Sequence, residues 1–190
     1  MNRSISLCAL AIAASACGGP GGPPGLTYTD PPAGGALRLV KNARSTQKAI
    51  VLDLVVGDTA LTGYATGLDL PLDASKVALG PFTPGTALDP GSAPAAAGAA
   101  IPSQGPLRGV LVVGLSQKAT GTGAVATDRA LPPNTVLLTV ELDAVEPLHG
   151  GLVFDGTAQG FALPSGGLRN KAGMAVVDAG QVKIGKLEAH

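Results

Sequence analysis

Aromatic residues are scarce in this chain: Phe, Tyr and Trp together make up 3% of its 190 residues, and Trp is absent. Sugar-binding faces stack rings on Trp or Tyr, so a carbohydrate platform starts from thin material. Charge is scarce too, at 14%, with 13 basic residues against 13 acidic ones. Neither nucleic acid nor an anionic lipid surface is drawn by such a balance, and no run of like charge stands out. Histidine occurs twice, as His149 and His190. Nucleophilic catalysis needs a base beside its nucleophile, and zinc needs several His or Cys ligands at short spacing; the sequence offers neither pattern, nor a Gly-x-Ser-x-Gly elbow. Cysteine also occurs only twice, as Cys8 and Cys17. No catalytic residue, metal site or cofactor is expected, and the chain is read as a non-enzyme.

What the chain has in quantity is Gly, 28 residues, and Pro, 16 residues. At that density they break helices and punctuate turns, and no helix of ordinary length is expected.

At the N-terminus, Arg3 precedes the apolar stretch Ile5-Ser6-Leu7-Cys8-Ala9-Leu10-Ala11-Ile12-Ala13. A stable bilayer span takes about 20 apolar residues, so this stretch reads as the core of an export signal over residues 1–16. Small residues Ala14-Ser15-Ala16 lead to Cys17. The pattern resembles a bacterial lipobox, in which a diacylglycerol is attached to the cysteine and the chain is cut just ahead of it. The alternative is an ordinary signal peptidase cutting near Ala16, because Ala14 stands where Leu is usual. The resemblance implies lipidation at Cys17. It also implies a membrane held through that lipid as partner, and a place in the bacterial cell envelope at the outer membrane. At about 0.8 kcal/mol per buried CH₂, two or more acyl chains make a stable anchor. Cys8 would leave with the signal, so no intrachain disulfide would remain and stability must come from packing.

Residues 17–35 are rich in Gly and Pro and read as a disordered tether. Beyond it, over residues 36–190, the period becomes two. Leu37 and Leu39 alternate with Arg38 and, after Val40, Lys41; Ile50, Leu52, Leu54 and Val56 alternate with Val51, Asp53 and Val55; Leu68, Leu70 and Leu72 alternate with Asp69, Pro71 and Asp73; Val136, Leu138, Val140 and Leu142 alternate with Leu137, Thr139, Glu141 and Asp143. Each segment predicts a strand with one face on the core, and Pro71 belongs near an edge or bulge. The apolar run Leu107–Leu115 predicts a central strand covered on both faces, or one facing an interface. Short strands are expected at Leu152-Val153-Phe154, Ala175-Val176-Val177 and Val182-Lys183-Ile184. Ala93–Ala100 reads as a low-complexity connection with one helical turn, within a loop over 83–106; the alternative is that this loop is a mobile lid or a partner loop. Eight or nine strands in one domain predict an all-β sandwich.

Candidate chemistry is sparse. His149 falls in a turn, where histidine is ordinarily solvated. Asp53, Asp69, Asp73, Asp143, Asp155 and Asp178 fall on polar strand positions or beside turns; of these, Asp69-x-x-x-Asp73 comes nearest to a calcium loop but lacks the Asp/Asn/Gly spacing. Phe82, Phe154 and Phe161 read as core, and Tyr28 as a tether residue. Tyr64 is left as the one candidate binding aromatic.

The order of features resembles the cohesin and carbohydrate-binding-module superfamily. The turn Leu72-Asp73-Ala74-Ser75-Lys76-Val77 stands where that family has a Tyr-Asp-Pro-x-x-Leu-like turn. Thr135–Leu142 looks like its later strand, and Val176–Val182 like its closing hairpin. The resemblance implies a cohesin-like jelly-roll β-sandwich of nine strands that recognises a protein on a sheet face, or another copy of itself. The alternative within the superfamily is a carbohydrate-binding module holding polysaccharide at the envelope.

Overall fold

The computed structural model describes residues 24–88, 96–117 and 127–190. The expected export signal over residues 1–16 and Cys17 lie outside the described residues, as do residues 93–95 of the alanine-rich stretch. Among the described residues the fold is all-β, with fifteen strands and one 3-10 turn, nine of the strands being five residues or longer. Strands stand at the segments expected from their period or apolar runs, including the short Ala175–Asp178 and Val182–Lys183, whereas Ala96–Ala100 and Ser165–Arg169 are strands that no local pattern announces.

The first sheet is built on β3 (Ala49–Val56), flanked by β2 (Leu37–Lys41) and β10 (Val136–Ala144), with β6 (Val77–Pro84) outside β10 and β14 (Val182–Lys183) outside β2. β14 runs parallel to β2 and the other pairs are antiparallel. Register places Leu39, Leu54 and Leu138 in one row, with Leu52 and Val140 in the next. These alternate residues are fully buried. Val51, Asp53 and Val55 on the opposite face of β3 are buried as well, because β3 is the middle strand and its neighbours' side chains close over it. Asp53 is accommodated there by hydrogen bonds from Asn42 Nδ2 (2.7 Å) and Thr139 Oγ1 (2.6 Å), as a buried carboxylate requires.

The second sheet has the order β13 (Ala175–Asp178), β12 (Ser165–Arg169), β5 (Ala65–Pro71), β8 (Val110–Ser116), β7 (Ala96–Ala100), antiparallel throughout. Leu68, Leu70, Leu111, Val113, Leu115 and Leu168 turn inward and join the first sheet's leucines in one buried cluster. At about 25 cal/mol per Å² of apolar surface removed from water, this shared cluster is what holds the sandwich together. β1 (Leu26–Thr29), β15 (Lys186–Ala189) and β11 (Gly151–Asp155) form a third, three-stranded sheet packed on the same cluster, and β4 (Leu61–Gly63) pairs with β9 (Arg129–Leu131).

Five expectations are corrected. The segment 17–35 is not tether to its end: Leu26 and Tyr28 are buried in β1, which pairs with β15 from Leu26↔Ala189 to Thr29↔Lys186. Composition hid this strand because its partner lies at the far end of the chain. Tyr28 is therefore core; its ring meets Phe154 with centroids 6.1 Å apart. Ala96–Ala100 is the extended strand β7, not a helical turn, because β8 supplies a ladder. β8 is not covered on both faces: Val112, Gly114 and Ser116 remain half-exposed, and Leu107 lies outside the strand. In β10 a register shift between Val136 and Leu138 turns Val136 outward at 40% exposure and buries Leu137, as a bulge does. Val176–Val182 is no hairpin: β13 pairs in the second sheet and β14 in the first, with the 3-10 turn Ala179–Gln181 carrying the chain between them. Pro71 behaves as expected. It ends β5 opposite Val110, beyond the point where β12 stops pairing at Ser165↔Asp69, so no ladder bond is lost on that side.

Candidate functional site

The outer face of the second sheet is assembled from four strands that contribute small residues at alternate positions. Register aligns these into rows. Ala96, Ser116, Ala65 and Arg169 form one, Gly98, Gly114, Gly67 and Gly167 the next, and Ala100, Val112, Asp69 and Ser165 the third. Glycine thus runs straight across β7, β8, β5 and β12. Inward neighbours Val113, Leu115, Thr66, Leu68 and Leu168 are buried, so the alternation itself turns the β8 and β5 glycines outward.

The four glycines have different physical causes. Gly167 has φ +109, and a Cβ there would run into the carbonyl oxygen of Val177; the backbone requires glycine. A Cβ on Gly67 would stand 3.2 Å from the Val113 carbonyl oxygen. Among the described residues, Gly98 and Gly114 have no atom within 4 Å of where a Cβ would stand, and neither has positive φ. Glycine within a strand weakens it and characteristically marks close approach of a ligand or another backbone. Among the described residues nothing inside the fold accounts for it at these two positions. At the β5–β12 end the row opens into a shallow depression of about 180 Å³ lined by Ala65, Gly67, Ser165, Gly166 and Arg169. Beneath it Thr66 Oγ1 donates to the Gly167 carbonyl at 2.8 Å, which fastens β5 to β12.

Tyr64 lies just before β5, at the end of this face. Its N–H donates to the Arg169 carbonyl (2.8 Å), its carbonyl accepts from Gln117 N–H (3.3 Å), and its hydroxyl donates to the Gln117 carbonyl (3.3 Å). The side chain is half-buried and pairs with no other ring among the described residues. It closes the end of the ladder.

The other sequence candidates disperse. His149 is exposed in the turn that follows the cis Glu146-Pro147 peptide. Asp73 heads the turn into β6: its carboxylate accepts from Ser75 N–H (3.0 Å), Ser75 Oγ (2.6 Å) and Lys76 Nζ. The Lys76 hydrogen bond, followed by those from Ser75, holds Asp73 down to about 2. Asp69 instead faces outward between Val112 and Ser165. Asp155 is lowered chiefly by the Thr157 hydroxyl (2.6 Å). Among the described residues no three of His, Cys, Asp and Glu gather as metal ligands do. Cys17 lies outside the described residues.

The glycine row escaped sequence reading. Each glycine is visible in its own strand, but only register brings the four together, and register depends on which strands pair. Comparison with known proteins gives no family model, no curated protein and no solved structure that matches this chain.

Proposed function

We propose that the chain is a non-catalytic lipoprotein of the bacterial cell envelope, anchored to the outer membrane through acylated Cys17, whose cohesin-like sandwich recognises a protein on the outer face of its second sheet. The observation that carries the reading is the pair Gly98 and Gly114, which among the described residues face open space at positions where a side chain would fit. A flat face of Gly, Ala and Ser lets a partner's backbone approach closely, while Asp69 and Arg169 supply charge at the margin. A protein suits this face better than a polysaccharide. Sugar recognition works by stacking on exposed rings, and Tyr64 is single, half-buried and tied to a carbonyl.

The test uses the full mature lipoprotein. Gly114→Arg places a long side chain into open space on the face, so folding should survive while capture of an envelope protein is abolished; capture unaffected by this change would overturn the reading. Polysaccharide binding that Tyr64→Ala removes would replace it with the carbohydrate-binding alternative. For the anchor, Cys17→Ser should move the protein to the soluble fraction, and mass spectrometry of the mature N-terminus should find the lipid.

A further inference from the structure

The two five-stranded sheets have four end strands among the described residues, and three of them carry features that discourage further pairing. β6 holds Pro81 and Pro84 and a register shift between Val140 and Leu142 of its partner. β14 is two residues long and includes Lys183. β13 is four residues long, shifts register beside Arg169 and ends on Asp178. Proline, bulges, charge and brevity are the usual means of blunting a sheet edge.

β7 has none of them. It pairs with β8 over five residues without a register shift, carries no charge or proline, and is exposed along nearly its whole length. In a two-stranded ladder alternate residues direct their N–H and C=O groups away from the partner strand. Among the described residues no strand pairs with the outer edge of β7, which therefore presents unpaired backbone donors and acceptors.

We infer that β7 is the edge at which a second copy of this chain adds, strand against strand, about a two-fold axis through Gly98. The inference goes beyond the sheet-face reading: it adds a contact at the sheet's edge, with a second copy of the chain as partner. The sequence Ala96-Ala97-Gly98-Ala99-Ala100 reads the same in both directions. Antiparallel pairing about Gly98 sets Ala96 against Ala100 of the other copy, Ala97 against Ala99, and Gly98 against Gly98. A two-fold contact must be complementary to itself, and an uncharged palindromic strand meets that condition, since no charge meets its like across the axis. The glycine row then runs unbroken through eight strands, four from each copy.

Five residues of edge make a small contact, well below the roughly 1,200 Å² total of a standard stable interface. Pairing is accordingly weak in dilute solution. It becomes substantial when both copies are held on one membrane, where tethering raises effective concentration toward the millimolar range.

Cysteine crosslinking of the full lipoprotein in envelope membranes tests this. Opposed residues of an antiparallel pair have Cα atoms about 4.5–5.5 Å apart, within the roughly 7 Å that a disulfide can bridge. Gly98→Cys should therefore give disulfide-linked dimer under mild oxidation. Gly114→Cys lies in the same row one strand inward. Its two copies would be three strand spacings apart, about 14 Å, and should not link. A short photo-activated reagent should capture a dimer of the parent protein; Gly98→Lys alone should abolish that dimer, and co-expression with Gly98→Asp should restore it. Absence of Gly98→Cys dimer, or equal dimer from Gly114→Cys, would overturn the inference. The face reading is judged separately: if Gly98→Cys fails to link while Gly114→Arg still abolishes partner capture, the edge pairing falls and sheet-face recognition stands.

Discussion

Tyr28 shows how one residue can join distant parts of the chain. Its buried hydroxyl donates to the Leu39 carbonyl at 2.7 Å and accepts from the Gly185 N–H at 2.9 Å, tying β1 to β2 and to the approach to β15. Tyr28→Phe keeps the ring and strands both backbone groups, which should cost about 1–3 kcal/mol in urea unfolding. Burial also pushes the phenol well above its ordinary range. Its folded value is raised, so the contribution is complete below the unfolded value of about 10 and declines as pH rises beyond it. Stability measured from pH 8 to 11.5 should fall less steeply in Tyr28→Phe than in the parent. Asp73 works in the opposite sense. Its folded value, about 2, lies below the unfolded one of about 3.9, so its stabilisation is present above pH 4 and is lost as pH falls from there toward 2. The group is substantially exposed and screened, so Asp73→Ala should lower stability at pH 7 by only about 0.5 kcal/mol, with the difference vanishing near pH 2.

Among the elements, β1 has the plainest consequence. A fragment beginning at residue 36 lacks Leu26 and Tyr28, each worth about 1.5–3 kcal/mol in buried side chain, and leaves one side of β15 unpaired. Thermal unfolding should show 24–190 melting cooperatively and 36–190 melting much lower or not cooperatively at all. The glycine row offers a sharper contrast. Gly114→Val adds a side chain in open space with better strand propensity, so stability should be unchanged or should rise by as much as about 1 kcal/mol. Gly167→Ala meets both a positive φ and the Val177 carbonyl and should cost about 1–3 kcal/mol. Equal effects at the two positions would contradict the assigned register.

For the whole molecule, the position of the chain ends sets how the domain stands. Gly25 and His190 exchange backbone hydrogen bonds, at 3.2 and 2.9 Å, so the C-terminus sits where the N-terminal segment leaves the domain. Eight residue steps separate Cys17 from Gly25, a reach of at most about 29 Å at 3.6 Å per residue. If Cys17 carries the lipid, a fluorophore at the C-terminus of the vesicle-bound protein should transfer energy efficiently to labelled headgroups. Inserting twenty Gly/Ser residues after Gly18 should weaken that transfer; no change would place the anchor elsewhere.

The strands with a local period, such as Ile50–Val56 and Leu68–Pro71, were legible in the sequence because the alternation of side chains across a strand belongs to the chain itself. The Asp73 turn was legible for the same reason, since its hydrogen bonds reach only two or three residues. The burial of Tyr28, the strand Ala96–Ala100 and the crossing of Ala179–Gln181 from one sheet to the other were not. Each depends on a partner strand far away in sequence, and a Gly- or Ala-rich segment has no pattern of its own to declare it. The glycine row belongs wholly to tertiary structure: four residues spread from Gly67 to Gly167 become neighbours only once hydrogen-bonded register has chosen which strands lie side by side.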